Sequence, residues 1–141
     1  MDVKKLEYPP KILLAWGEAI SGNTKIRDWL ISNGYKELGI FCFALRNKED
    51  ARKWLLENGF PHLMALINAV EENKSALMWL KNYKFEILEH MARIAGYGEE
   101  ESYHWLVNKG HKELAVIARK IEKVKDDIEA DNNDPHKMSF D

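Results

Sequence analysis

The chain has 141 residues, 45% of them hydrophobic and 31% charged, with a formal net charge of −2. That length and balance fit one folded domain and are too apolar for a disordered chain. The near-neutral charge gives no general attraction for phosphate backbones, which disfavours nucleic acid, and no apolar run approaches the roughly 20 residues of a membrane span.

Residues 1–9 lack the apolar core of a signal peptide and read as an irregular lead-in, so a cytoplasmic location is expected by default. A helical repeat domain is expected over residues 10–130. Leu13, Trp16 and Ile20 open it at i, i+3 and i+7, the stripe of an amphipathic helix. Gly22-Asn23-Thr24 supplies a turn with a side chain able to cap the next helix, which carries Trp29-Leu30 and stops at Gly34.

The pattern then repeats. Trp54-Leu55, Trp79-Leu80 and Trp105-Leu106 follow the first pair at intervals of 25, 25 and 26 residues. A fixed period of this size marks a stack of small structural units. Five residues after each tryptophan stand Gly34, Gly59, Lys84 and Gly110. Glycine ends a helix there because it takes the left-handed conformation without a Cβ clash. The first helices that follow carry Leu38, Phe41 and Leu45, then Leu63, Leu66 and Val70 after Pro61, then Leu88, Met91 and Ala95. Pro61 suits a helix start, where its missing amide hydrogen costs nothing.

Between first and second helices, Asn47 with Asp50 approximates a capping box, Asn73 occupies a matching turn, and Gly96-Tyr97-Gly98 is expected to be the turn holding the extra residue of the last interval. Glu99, Glu100 and Glu101 favour the positive end of the next helix. The last helix continues through Leu114, Ile117, Ile121, Val124 and Ile128 with a charged outer face, as a terminal capping helix should. Residues 131–141 are expected to be a disordered tail. Helices this short need their neighbours for stability. The expected fold is therefore an all-α solenoid, a right-handed stack of antiparallel helix pairs with about nine helices, its tryptophan column structural.

The stretches Ala51-Arg52-Lys53-Trp54-Leu55-Leu56-Glu57-Asn58-Gly59 and Leu66-Ile67-Asn68-Ala69-Val70-Glu71-Glu72-Asn73 resemble the second and first helices of ankyrin repeats. Ankyrin units run to about 33 residues and open with Thr-Pro-Leu-His. That tetrapeptide is absent here, so the β-hairpin fingers should be missing. Other helix-pair solenoids of the tetratricopeptide or HEAT kind are similar. Either resemblance implies a non-enzymatic scaffold that binds another protein or peptide.

No phosphate loop, nucleophile elbow or paired-cysteine zinc motif is present, and no cofactor is expected. Cys42 lies in an apolar run and reads as a buried small hydrophobe. Glu86/His90 and Glu100/His104 are spaced i, i+4, yet two ligands do not make a metal site. Partner-binding candidates come from columns that vary along the repeat: Glu18, Phe43, Asn68 and Arg93, continued by Arg119, and the turn row Tyr35, Phe60 and Phe85, continued by His111. Phe43 stands out as a bulky apolar group that would add to an exposed patch. Two competing readings remain, a ligand-binding or catalytic cleft using Glu86, His90 or Arg93, and a nucleic-acid surface on the curved scaffold.

Overall fold

A computed structural model describes residues 6–133, and within them the chain forms nine helices and no strand. They are α1 (Pro10–Ile20), α2 (Thr24–Ser32), α3 (Lys36–Leu45), α4 (Glu49–Glu57), α5 (Pro61–Val70), α6 (Lys74–Asn82), α7 (Glu86–Tyr97), α8 (Glu100–Asn108) and α9 (Lys112–Asn132). The expected all-α class and helix number are both observed. Residues 1–5 of the lead-in and 134–141 of the tail lie outside the described residues.

Odd- and even-numbered helices form two layers. Helices α1, α3, α5, α7 and α9 pack against one another in succession, and α9 also packs directly on α1. Helices α2, α4, α6 and α8 pack on the two helices adjoining them in the chain. The stack thus curls until its first and last members meet, giving an inner ring of five helices with four outside it. Sequence explains the division of labour. The inner helix α5, Pro-His-Leu-Met-Ala-Leu-Ile-Asn-Ala-Val, buries eight of its ten residues, whereas the outer helix α2 buries only Leu30. A helix apolar nearly all round belongs inside, and one with a single apolar stripe belongs at the surface.

The inner helices run the same way round. Arg46, at the end of α3, donates from Nη2 to the carbonyl of Ile20 at the end of α1 (2.9 Å). Gly96, near the end of α7, lies so close to α5 that a Cβ there would stand 3.0 Å from the carbonyl oxygens of both Ala69 and Val70. Their C-termini therefore gather at one end of the ring and their N-termini at the other, called the mouth below.

Local chemistry follows the sequence in most places. Asn23 and Asn73 cap α2 and α6, accepting from the amides of Ile26 (3.0 Å) and Ala76 (3.1 Å). Gly34, Gly59 and Gly110 take positive φ, and Lys84 does so too, at 62°. Cys42 is buried, its thiol donates to the Leu38 carbonyl at 3.4 Å, and burial pushes it up to about 12.

Other expectations are corrected. The capping box at Asn47 does not form: Lys48 is the N-cap of α4, Asn47 has a φ of 70°, and its Oδ1 accepts from Arg52 instead. Gly96 and Tyr97 belong to α7 rather than to a turn, because the extra residue lengthens the helix until Gly98 ends it in the left-handed conformation. Helix α9 continues through Asp131 and Asn132, past the expected start of the tail.

The Trp-Leu pairs divide their roles unequally. Leu30, Leu55, Leu80 and Leu106 are each 0% exposed, while Trp29 is 49% exposed and the other three tryptophans are half-buried. Each tryptophan lies against an aromatic ring outside its own helix turn. Trp29 stacks on Tyr35, Trp54 on Phe60 and Trp79 on Phe85, with centroids 6.4, 6.0 and 5.5 Å apart. Trp105 instead stacks on His90 of α7 at 4.1 Å. The leucines form the core, and the tryptophans cover the ends of the inner helices.

Candidate functional site

Two concave regions stand out, one on the flank of the ring and one at its mouth. The flank site follows from counting helices. Outer helices bridge each successive inner pair from α1/α3 to α7/α9, but among the described residues no helix bridges α9 and α1. This seam is a groove of about 290 Å³ bordered by Leu14 and Glu18 of α1 and by Glu113, Val116 and Lys120 of α9.

The repeat shows what the seam lacks. Leu14 occupies the column of Gly39, Met64, Glu89 and Ala115. On α3 that column faces the preceding outer helix, for a Cβ on Gly39 would lie 2.9 Å from the Arg27 carbonyl oxygen of α2. All four counterparts are buried, Ala115 completely, yet Leu14 is 62% exposed. Among the described residues no outer helix packs on this side of α1, and an apolar position that is covered on the other inner helices lies open.

The candidate column next to it has the same explanation. Phe43 is half-buried beneath the Arg27 guanidinium, 4.2 Å from its ring centroid, and so does not form the exposed patch expected of it. Asn68 is also half-buried. Arg93 is tied to Glu89 at 3.0 Å and Glu99 at 3.5 Å. Arg119 lies over Tyr103 of α8 and pairs with Glu100 and Glu122. Only Glu18 is exposed, and it meets Lys120 across the seam at 3.2 Å. The members of the column thus meet different neighbours: Phe43 meets α2, Arg119 meets α8, and Arg93 is held by Glu89 and Glu99.

The second region is a cavity of about 970 Å³ at the mouth. Leu13 and Trp16 of α1, Leu88 of α7 and Leu114 of α9 give it an apolar lining, and Leu6 and Tyr8 close one side. Tyr8 is anchored by donating its hydroxyl to Glu37 at 2.7 Å, and burial together with that bond raises its pKa. Trp16 is 2% exposed and packs edge-on against Phe41, but its indole N–H has no hydrogen-bond acceptor among the described residues. Lys84, Lys109 and His111 stand around the opening together with Glu7 and Glu86.

The turn row divides between these surroundings. Phe85 and His111 line the cavity, whereas Tyr35 packs on Tyr8 and Trp29, and Phe60 is buried beside His62. His62, itself 1% exposed, stacks on Phe85 at 5.3 Å and reaches the cavity wall.

The residues of the catalytic alternative lie together on α7 but do not share the mouth cavity. Glu86 borders the mouth; His90 lies outside it, its Nδ1 2.9 Å from Ser102 Oγ and its pKa lowered mainly by burial; Arg93 is engaged by its two glutamates. Among the described residues, no three potential metal ligands cluster. Leu14 and Trp16 were not singled out from sequence. The signal for Leu14 was the partial first unit, whose first recognisable helix is an inner one. No protein-family model, curated protein or solved structure matches the chain.

Proposed function

We propose that the protein is a non-enzymatic interaction module that receives an amphipathic helix of a partner protein in the seam between α1 and α9. The observation that carries this reading is the exposure of Leu14 in a column that is buried on every other inner helix. A helix laid there would do for α9 and α1 what α2 does for α1 and α3. It would place an apolar stripe against Leu14 and Val116 and charged groups beside Glu18, Glu113 and Lys120, the helix-in-groove mode of recognition. In offering a stack of helix pairs as a scaffold, the protein would act as ankyrin-like repeats do.

Capture from native lysate by three forms of the protein tests the assignment. Wild type and Leu56→Asp, altered at an exposed leucine on α4, should retain the same partner, and Leu14→Asp should lose it with an unchanged circular dichroism spectrum. Retention of every captured protein by folded Leu14→Asp would place the interaction elsewhere.

A further inference from the structure

We infer that the mouth cavity is a second binding site, for an amphipathic organic anion with an apolar body. Its lining suits the body of such a molecule, and about 970 Å³ is at the upper end of the size of small-molecule pockets. Trp16 contributes the largest of the buried apolar side chains in that lining.

The rim supplies the polar requirement. Where the cavity opens, three columns of the repeat change character. Lys84 stands where the other units have glycine, Lys109 where two have asparagine, and His111 where the others have tyrosine or phenylalanine. Lys84 keeps the glycine conformation at a φ of 62° despite its side chain. A strained residue at the edge of a cavity is where function is to be sought. Among the described residues neither Lys84 nor Lys109 forms an ion pair, although Lys109 lies 5.8 Å from the Trp105 ring centroid.

Glu7 and Glu86 are the acidic groups at the same opening. Glu86 is the first residue of α7, where its carboxylate complements the helix N-terminus. The two lysines are left to meet the anionic group of the ligand. The seam groove shares only Leu13 with the cavity, and neither lysine borders it.

Anilinonaphthalene sulfonate, an aromatic anion that fluoresces on leaving water, is the probe, and phenylnaphthylamine is the same body without the charge. Folded protein should bind the sulfonate saturably at one site, at least about tenfold more tightly than the neutral probe. The double variant Lys84→Gln/Lys109→Gln should weaken the sulfonate by about tenfold while leaving the neutral probe unchanged, and Leu14→Asp should alter neither. Equal binding of both probes at the mouth would overturn the anion assignment alone. Absence of binding by either, or binding abolished by Leu14→Asp and untouched by the mouth variants, would overturn the site.

Discussion

Lys120 of α9 meets Glu18 of α1 at 3.2 Å, joining residues 102 positions apart in the chain. An ion pair this exposed contributes about 1 kcal/mol or less, so it marks the closure of the ring more than it holds it. The holding contact lies one residue away. Buried Gly17 lets α1 approach α9 so closely that a Cβ there would lie 3.3 Å from Lys120 Cδ and 3.6 Å from Ile117 Cγ1.

Gly17 is therefore expected to discriminate by size. Gly17→Ala adds one methyl group against the flexible Lys120 stem and gains helix propensity, and urea denaturation should show it close to wild type. Gly17→Ile should cost about 1–3 kcal/mol by forcing the first and last inner helices apart. Equal stability of both variants would mean that α1 and α9 are not packed as described.

The division of roles within the Trp-Leu pairs gives a second expectation. Leu80 is 0% exposed, and truncation to alanine should cost about 2–5 kcal/mol, the loss of a core leucine. Trp29 is 49% exposed and stacked on Tyr35, so Trp29→Ala should cost about 1 kcal/mol. Thermal or urea melts that rank the two the other way would return the structural role to the tryptophans.

What was legible in the sequence was local. The stops at Gly34, Gly59 and Gly110 and the caps at Asn23 and Asn73 each depend on residues within one or two turns of one another, and the Trp-Leu pairs repeat such local units along the chain. The meeting of α1 with α9 depends instead on the small rotation between units summed over the whole stack, which no single window contains. The cavity was hidden for the same reason, since Tyr8 and Trp16, Phe85, and Leu114 come from three separated stretches. Asn47 misled because an asparagine in a turn has two uses, capping the following helix or taking positive φ after the preceding one, and here the backbone takes the second.

His90 predicts a pH dependence. Burial lowers its pKa below 6.5, with Arg93 acting in the same direction and Glu89, Glu86 and Glu99 opposing. The fold therefore favours neutral imidazole, and as pH falls the unfolded chain takes up the proton first. Stability should drop from around pH 6.5 down to the folded pKa, and the loss should grow no further below it. Glutamine at this position keeps a polar group near Ser102 without titrating. The stability advantage of wild type over His90→Gln should thus shrink between about pH 7 and about pH 5 in paired urea melts. A constant difference across that range would show that His90 has the same proton affinity folded and unfolded.

Lys84 sets stability against binding. Its φ of 62° lies in the left-handed region, which costs a residue with a side chain roughly 1–2 kcal/mol and costs glycine almost nothing. Lys84→Gly restores the residue found in the other three units, and it should raise stability by about 1 kcal/mol after the greater freedom of glycine in the unfolded chain is set against the relief of strain. The same change removes a cation from the rim of the mouth cavity, so affinity for anilinonaphthalene sulfonate should fall while the neutral probe binds as before. A gain in stability with unchanged sulfonate binding would show that the lysine is strained without serving the cavity. No gain in stability would show that the turn accommodates lysine as readily as glycine, and the strain argument for this residue would fail.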